Sequence, residues 1–361
     1  MRPSKPAKIL EITSYPPPRA GWGVRVEFLK KRLEAEGHTC VVLNIGRSRF
    51  TPSAEYETVL SGSDYFKKVW RFSREGFVAH LHVNAESTKG FVLCLIAEFV
   101  NLVWGRRCFL TFHGGIGQVY FTRERYRWLS PMYWVLFGIP RWIICNSDTV
   151  RARLAEYTMD PGKIVAIPAF STQYVDRGAP HMPGDVERFY ARFSDVVFTY
   201  IRIRPGFYLD ILLDGFAEVA ATMPSAGLAI CGVSGDVDPL LLKDLHERIA
   251  AHALDDRVCI IEDLTHDEFL EALSRSALYL RTPTTDGVAS SVLESLVLGV
   301  PVVGSENGSR PPGVITYRAT DAWDLARQVI RVINSREEIV ATMKRPEPRD
   351  TLADEVALLT C

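Results

Sequence analysis

Residues 286–304 read DGVASSVLESLVLGVPVVG and combine a turn-rich loop, a short helix and a buried strand. The stretch before them, ALYLRTPTT at 277–285, is a strand followed by turn residues, and Gly299 is placed to end the helix. We expect Ser290 or Ser291 to cap the helix N-terminus. Free N–H groups and the positive end of the helix dipole bind anions there. The stretch therefore predicts a phosphate-facing loop and helix in an α/β domain.

This stretch also contains two acidic residues, Asp286 and Glu294. An acidic side chain beside a phosphate is repulsive unless it accepts hydrogen bonds from hydroxyl groups, as acidic residues do for ribose in other nucleotide folds. We therefore expect Glu294 to bind a ribose and Asp286 to bind a sugar. The alternative is that Asp286 caps the helix and Glu294 is a solvated surface charge.

Strands and helices alternate in the same way on both sides of 286–304, which is typical of parallel α/β domains. With 361 residues and 47% hydrophobic content, the chain is large enough for two domains. The periodicity is lost at 171–190, where prolines and glycines accumulate. We predict a first domain at 1–170, a linker at 171–190 and a second domain at 191–343. Residues 344–361 are predicted to form a final helix that packs back on the first domain.

Composition excludes several classes of function. The 42 Lys and Arg residues balance 43 Asp and Glu residues, so no global field attracts nucleic acid. The seven cysteines are dispersed in apolar runs and show no zinc spacing, so we expect reduced thiols and no structural metal. The N-terminus lacks a secretory core, which predicts a cytoplasmic protein. FVLCLIAEFVNLVW at 91–104 is shorter than the roughly 20 residues of a membrane span and indicates a buried helix.

The loop PPPRAGWGVR at 16–25 follows the first strand and contains Gly21 and Gly23. A dinucleotide-binding interpretation fails because the third glycine of the fingerprint falls on Val26 and the second strand does not end in an acidic residue. We expect a loop that faces the substrate. A purely structural turn is the alternative.

Three histidines are predicted at the carboxyl ends of strands, where open α/β sheets bind ligands: His80 and His82 in FVAHLHVN, and His113 in LTFHGG. The two glycines after His113 favour a catalytic or sugar-contacting role. For His82 a structural role is at least as plausible, and an acceptor contact is the functional alternative.

The stretch 118–142 interleaves arginines, including Arg127, with aromatic residues. Such a surface suits an anionic lipid headgroup or a stacked sugar, because Arg favours phosphate and Trp and Tyr favour interfaces. The alternative is a core helix with a solvated basic face.

The ordered motifs together resemble the retaining, nucleotide-sugar-dependent glycosyltransferases of the GT-B fold known as group 1 or family 4. The signature is a pair of acidic residues separated by seven others, then a short helix and a GxPVV strand, here Asp286, Glu294 and 299–303. The resemblance covers nearly the whole chain. Its other elements are Gly21 and Gly23, His113, CNSDTVRARL at 145–154, KIVAIP at 163–168, LAICG at 228–232 and DAWDLA at 321–326.

The resemblance implies an α/β fold of two Rossmann-like domains that face each other across a cleft, and a hexosyl transfer from a nucleoside-diphosphate sugar to a saccharide or lipid-linked acceptor. No cofactor or metal is implied. A lipid-linked acceptor would bring peripheral contact with the inner face of the membrane. Polysaccharide or glycolipid biosynthesis is the expected setting, and a non-catalytic nucleotide-sugar or glycan-binding protein is the alternative.

The resemblance also implies site roles, with Glu294 on the donor ribose and His113 beside the donor sugar. The remaining implied donor residues are Asp286 with the backbone of Gly287 and Val288 on the sugar, Gly21 and Gly23 under the diphosphate, and Arg202 with Arg204 on the diphosphate itself. Three positions depart from the family pattern. Phe207 stands at the lysine position, Asp286 replaces the usual glutamate, and Ala169-Phe170 replaces an asparagine-glycine pair.

Asp236 and Asp238 in GDVD have the spacing of a metal-binding DxD, but they follow the strand LAICG as a polar loop. We interpret them as a structural turn. A pyridoxal-phosphate phosphorylase is disfavoured because no glycine-flanked lysine suits the cofactor, and an epimerase of the same fold remains a rival enzyme.

Overall fold

The computed structural model describes residues 6–16, 21–85, 87–114, 120–121, 127–175, 180–233, 237–284, 289–308, 310–347 and 349–361. The chain divides into two compact units. The first unit comprises Met1–Ser171 and Arg349–Cys361, and the second comprises Thr172–Pro348.

The described residues form thirteen β-strands and thirteen α-helices. The strands are β1 (Lys8–Thr13), β2 (Thr39–Asn44), β3 (Glu57–Thr58), β4 (Val78–Val83), β5 (Phe109–Phe112), β6 (Trp142–Cys145), β7 (Ile164–Ala166), β8 (Asp195–Tyr200), β9 (Ala226–Cys231), β10 (Val258–Ile261), β11 (Leu278–Arg281), β12 (Val302–Ser305) and β13 (Val314–Tyr317). The helices are α1 (Gly21–Ala35), α2 (Gly62–Arg74), α3 (Thr88–Val103), α4 (Ser130–Gly138), α5 (Asp148–Ala155), α6 (Gly184–Arg192), α7 (Leu209–Thr222), α8 (Pro239–Ala251), α9 (His266–Arg275), α10 (Ser290–Val297), α11 (Ala322–Asn334), α12 (Arg336–Thr342) and α13 (Thr351–Thr360).

Each unit contains one parallel sheet. The order in the first is β3-β2-β1-β4-β5-β6-β7, and in the second it is β10-β9-β8-β11-β12-β13. Both orders run outward from a first strand and reverse beside it, as in doubly wound Rossmann folds. The predicted α/β fold with two Rossmann-like domains is confirmed.

The two faces of the first sheet differ in polarity. Alternate residues such as Leu10, Leu81 and Phe112 join the apolar core formed with helices α2, α3 and α4. The opposite face carries buried polar side chains, among them Glu11 and His80. Parallel sheets usually bury apolar residues on both faces, so this polar face calls for a chemical explanation.

In the second sheet both faces are apolar. Val197 and Leu280 belong to the core formed with α7 and α11. Phe198 and Tyr279 point to the other side and pack with residues of α9 and α10. Polar groups of the second unit therefore concentrate at the ends of its strands and in its loops.

The predicted loop at 16–25 ends earlier than expected, because α1 begins at Gly21. Gly21 and Gly23 thus lie in the first turn of the helix. A Cβ on Gly23 would lie 3.3 Å from the carbonyl oxygen of Ser14 and from Cδ of Pro16. Gly23 therefore permits a close approach between helix and preceding chain, which is a structural role.

The stretch 171–190, predicted as a linker, contains the first part of α6. Val186 and Tyr190, four positions apart, are the buried residues of this helix, which explains why it packs although glycine and proline surround it. The second unit begins at Thr172. The C-terminal helix α13 belongs to the first unit.

Residues 91–103 lie in α3 and Trp104 is its C-cap; the helix buries one face only. Glu98 and Asn101 are buried there, whereas Phe99 and Val103 are exposed. Burial raises the pKa of Glu98 to about 9. Within the described parts of the chain, no helix combines the length and the apolarity required to cross a bilayer.

Candidate functional site

The strand order of the first sheet reverses between β1 and β4, and open α/β sheets bind ligands at the carboxyl ends beside such a reversal. His82 lies near the end of β4, and His113 directly follows β5. The structure brings the two rings together, since Nδ1 of His82 lies 2.8 Å from Nε2 of His113. Both predicted histidines therefore occupy one site in the first unit.

A buried carboxylate, Glu11 of β1, lies beneath these histidines and was not predicted. Its Oε2 is 2.7 Å from Nε2 of His82, and its Oε1 is 2.9 Å from Nδ1 of His80. Nε2 of His80 is in turn 2.8 Å from Oγ1 of Thr111. The register that pairs Glu11 with His80 across β1 and β4 places these side chains on one face.

The protonation states follow from this geometry. Burial opposes ionisation of Glu11, but the charge of His80 and hydrogen bonds from His80 and His82 overcome it and lower the pKa of Glu11 to about 2. Burial also disfavours the charged form of His80, yet Glu11 outweighs that effect and raises its pKa. Burial, with the neighbouring charge of His80, lowers the pKa of His82. The pKa of His113 is well below its usual value because its half-buried ring is desolvated and a positive charge on it would be repelled by His82, Arg25 and His80.

Glu11, His80 and His82 together have the donor atoms of a metal site, with ligand atoms within 4.8 Å of one another. Both oxygens of Glu11 already accept hydrogen bonds from ring nitrogens. These bonds satisfy the carboxylate, so we interpret the cluster as a hydrogen-bond network.

An ion pair supports the same polar face. Nε of Arg25 in α1 lies 2.6 Å from Oε2 of Glu355 in α13. The guanidinium also donates to the carbonyl oxygens of Pro168 and Ala169, at 3.0 and 2.8 Å. The carbonyl oxygen of Ala169, at the position of the asparagine in the family pattern, thus accepts a hydrogen bond from Arg25 of α1.

The first turn of α1 also reaches the histidines. The ring of Trp22 contacts that of His113 edge-on, with centroids 4.8 Å apart. Gly21 and Gly23 flank this tryptophan in the first turn of α1, so this turn lies beside His113.

The aromatic stretch 118–142 is divided between core and surface; parts of it, 118–119 and 122–126, lie outside the described residues. Tyr133 and Phe137 of α4 are buried, which favours the core-helix interpretation for this part. Arg127 is exposed and its neighbour Trp128 is 70% exposed. Arg127 forms no hydrogen bond or ion pair with the described residues of the histidine cluster.

In the second unit the strand order reverses between β8 and β11, and arginines lie at the carboxyl ends of both strands. Arg202 follows β8 and lies over the ring of Tyr200, 5.6 Å from its centroid. Arg204, two residues on, is exposed. Arg281, at the end of β11, was not predicted; it is buried and donates to the carbonyl oxygen of Tyr200 at 2.8 Å.

Phe207, at the family's lysine position, lies between two of these arginines. The guanidinium of Arg204 is 5.4 Å and that of Arg281 is 5.5 Å from its ring centroid. Cation–π contacts of this kind hold arginines in place. Arg281 therefore supplies positive charge near the position where the lysine is missing.

Glu294 lies in α10, the helix of the opening sequence stretch, and is 5% exposed. Its carboxylate accepts no hydrogen bond from the described residues. Burial raises its pKa to about 8. A buried carboxyl group without partners is costly unless a ligand supplies hydrogen bonds.

Asp286, Gly287 and Val288 lie outside the described residues. Shortly before them, the hydroxyl of Thr284 forms a hydrogen bond of 3.0 Å with that of Tyr208. The prediction of a serine cap on α10 is wrong: Ala289 is the N-cap and makes no side-chain bond. Ser291 instead accepts a hydrogen bond from Tyr279 at 2.8 Å. Gly299, with φ of 79°, follows the helix as expected.

Asp238 of the GDVD stretch caps helix α8 by accepting hydrogen bonds from the backbone N–H groups of Leu240 and Leu241. This is the structural turn that we expected for it. Asp236 lies outside the described residues.

Sequence reasoning missed Glu11 and Arg281 because each sits in an apolar strand, KILEIT and ALYLR, that predicts core packing. A charged residue inside such a strand was the available signal, since charges are rarely fully buried without partners.

The arrangement has relatives of known structure. Anabaena HepE, in a complex with UDP and glucose, has a TM-score of 0.70 and 15% identity, over 98% of this chain and 95% of that chain. Sucrose-phosphate synthase from Thermosynechococcus elongatus has a TM-score of 0.62 and 14% identity, over 98% and 94%. A UDP-N-acetylglucosamine 2-epimerase has a TM-score of 0.66 and 12% identity, over 98% and 95%. No curated protein matches the chain in sequence.

These similarities define the class of protein: a two-domain α/β protein of the GT-B fold. At such low identity the fold does not choose between transferase and epimerase. The family model described as "Glycosyl transferases group 1" matches residues 193–345, which include Arg202 and Glu294. The second unit thus contains a group 1 glycosyltransferase domain.

Proposed function

We propose that the protein is a retaining, metal-independent glycosyltransferase that moves a hexose from a nucleoside-diphosphate sugar to a saccharide or lipid-linked acceptor. Polysaccharide or glycolipid biosynthesis is the proposed setting. The observation that carries the proposal is Glu294, a buried carboxyl group whose side chain has no hydrogen-bond partner among the described residues. A pair of ribose hydroxyls would supply the missing bonds.

The diphosphate is assigned to the arginines at the carboxyl ends of β8 and β11. Arg202 and Arg204 follow the first of these strands, and Arg281 ends the second. A departing nucleoside diphosphate develops negative charge, and fixed cations and backbone N–H groups stabilise it. In this proposal the arginines do the work that a metal ion does elsewhere. Gly287, Val288 and Asp286 are proposed to hold the donor sugar.

His113 is proposed to contact the donor sugar near the anomeric carbon. Its low pKa supports a neutral ring, which accepts a hydrogen bond from a sugar hydroxyl and does not repel the positive charge that develops on the sugar. The acceptor hydroxyl attacks the anomeric carbon on the face from which the diphosphate leaves and gives its proton to the departing diphosphate oxygen, so the anomeric configuration is retained. His82 and Arg127 are the proposed acceptor-side residues.

Peripheral membrane contact is part of the proposal for a lipid-linked acceptor. The exposed Arg127 and Trp128 support it, since arginine pairs with phosphate and tryptophan favours the interface.

A thermal-shift panel of UDP-, GDP- and ADP-sugars tests the donor site, because a ligand that binds the folded state raises its apparent stability. We expect one nucleotide series to raise the Tm of the wild type and to have no effect on Glu294→Ala. Glu98→Ala is the matched control, because it removes another buried carboxyl group with a raised pKa but lies in the first unit. Equal shifts in wild type and Glu294→Ala would remove Glu294 from the donor site. A donor that binds but is never turned over would favour the non-catalytic alternative.

A further inference from the structure

We propose that Glu11 and His82 are positioning residues that fix the tautomer of His113, so that His113 presents its Nδ1 as a hydrogen-bond acceptor to the donor sugar. The inference rests on the proposed function, which places His113 beside that sugar. It assigns a purpose to the polar face of the first sheet, which the glycosyl transfer itself does not require.

The three side chains form a continuous line. Oε2 of Glu11 is 2.7 Å from Nε2 of His82, and Nδ1 of His82 is 2.8 Å from Nε2 of His113. The imidazoles of His82 and His113 are nearly parallel, with an interplanar angle of 13°. Nε2 of His82, Nδ1 of His82 and Nε2 of His113 therefore each have one hydrogen-bond partner within this line.

The protons in this line can be placed by elimination. An ionised carboxylate accepts hydrogen bonds and donates none, so the Nε2 of His82 that faces Glu11 carries a proton. In a neutral imidazole the other nitrogen is then unprotonated, so Nδ1 of His82 accepts. The partner that must donate to it is Nε2 of His113. In neutral His113 this leaves Nδ1 without a proton.

The remaining ring nitrogen of this line is Nδ1 of His113. Nδ1 of His113 makes no hydrogen bond to a described residue, and the histidine is only half-buried. The edge-on ring of Trp22 restricts its rotation. A sugar hydroxyl that donates to Nδ1 would complete the pattern.

The surroundings keep Glu11 ionised. Nδ1 of His80 donates to Oε1 of Glu11. Nε2 of His80 forms a hydrogen bond with Oγ1 of Thr111. Glu355 and Arg25, from α13 and α1, are the other charged groups that face this cluster; Oε1 of Glu355 lies 3.9 Å from Nε2 of His80. Replacing such buried charges with apolar residues is often neutral or stabilising. A stability role alone therefore does not account for the network.

The test is the tautomer of His113, read from nitrogen-15 and long-range proton–nitrogen NMR spectra of histidine-labelled full-length protein, with His113→Asn to assign the signal. We expect Nε2 of wild-type His113 to carry the proton. In Glu11→Gln the amide can donate to Nε2 of His82. Nδ1 of His82 can then donate to Nε2 of His113, which leaves the proton of His113 on Nδ1. His82→Gln keeps a donor near Glu11 but lacks the ring nitrogen that faces His113. The tautomer of His113 is then no longer fixed, although the Glu11 carboxylate is still present.

His80→Asn is the matched control. Its amide replaces the donor toward Glu11 and leaves the Glu11–His82–His113 line intact, so the His113 spectrum should match wild type. A wild-type His113 protonated on Nδ1, or the same His113 tautomer in Glu11→Gln and His82→Gln as in wild type, would overturn the proposal.

Kinetics separate this inference from the proposed function. We expect Glu11→Gln and His82→Gln to lower kcat about 10- to 100-fold with little change in KM for the donor, by analogy with the loss seen when the outer partners of metal-bound histidines are removed. If His113→Asn transfers sugar normally, the proposed role of His113 fails, while the NMR experiment still decides whether the tautomer is set by Glu11. If the tautomer changes and kcat does not, the positioning role is contradicted.

Discussion

Arg25 and Glu355 are 330 positions apart in the sequence, yet Nε of Arg25 lies 2.6 Å from Oε2 of Glu355 inside the first unit. Both side chains are almost completely buried, with 2% and 0% of their surface exposed. The pair joins α1 to α13, and it brings the end of the chain to the polar face of the first sheet. The C-terminal helix is therefore part of the structure that supports the histidine cluster.

We predict that Glu355→Ala destabilises the first unit by about 3–5 kcal/mol, because an unpaired Arg25 charge remains buried. Urea unfolding followed by circular dichroism measures the loss. Asp354→Ala is the control on the same helix, since its pair with Arg349 is exposed and should contribute little. Equal effects of the two substitutions would show that the buried pair has no special role.

Glu294 gives a prediction about pH. Its usual pKa of 4.5 is raised to about 8 by burial, so the folded state is penalised when the group ionises. This penalty is absent below about pH 4.5, grows as the pH rises, and is complete above about pH 8. Glu294→Gln should therefore unfold like wild type at pH 4.5 and be more stable at pH 8.5, on the order of 1–3 kcal/mol.

Urea unfolding of both proteins at the two pH values measures this difference. The same substitution should weaken donor binding, because an amide replaces the acceptor offered to ribose. Parallel stability profiles, or a variant less stable at pH 8.5, would mean that Glu294 is paired in the folded protein.

Arg202→Ala is predicted to weaken binding of the nucleoside diphosphate about 10- to 150-fold, which corresponds to the roughly 1.5–3 kcal/mol of a charge-assisted hydrogen bond. Isothermal titration calorimetry with the donor series found in the thermal-shift panel measures the change. Arg331→Ala, which removes an exposed arginine of α11, is the control and should bind like wild type. Unchanged binding by Arg202→Ala would show that Arg202 does not bind the diphosphate.

Metal independence gives a further prediction. Asp238 is engaged as the N-cap of α8, so Asp238→Ala should cost about 0.5–2 kcal/mol of stability and leave sugar transfer intact at a temperature where the variant is folded. EDTA should leave the rate of wild-type transfer unchanged. Loss of transfer in EDTA with recovery on adding Mn²⁺ or Mg²⁺ would contradict the proposal.

The sequence predicts the fold well because apolar strands, amphipathic helices and the glycines that end helices are recognisable from short stretches of sequence. Within the described residues 289–304, α10 and β12 form as expected, and Gly299 follows the helix. The serine cap was mispredicted because Ser291 of α10 accepts a hydrogen bond from Tyr279, which lies on strand β11. Tertiary contacts of that kind override local capping preferences.

The site was predicted only in part. His82 and His113 were expected near strand ends, but their direct contact depends on the register of β4 and β5. Glu11 and the Arg25–Glu355 pair depend on residues far apart in sequence, and no periodicity reveals them. The roles of Asp286, Gly287 and Val288 stay predictions.

The central claim is that the second unit binds a nucleotide sugar through Glu294 and that the enzyme cleaves its glycosyl–phosphate bond. The direct measurement is release of nucleoside diphosphate from each sugar nucleotide, with wild type and Glu294→Ala compared at equal concentration. We predict slow release from one donor by wild type, faster release with a saccharide or lipid-linked acceptor, and loss of both in Glu294→Ala. Full turnover by Glu294→Ala, or no release from any sugar nucleotide by the folded wild type, would contradict the account.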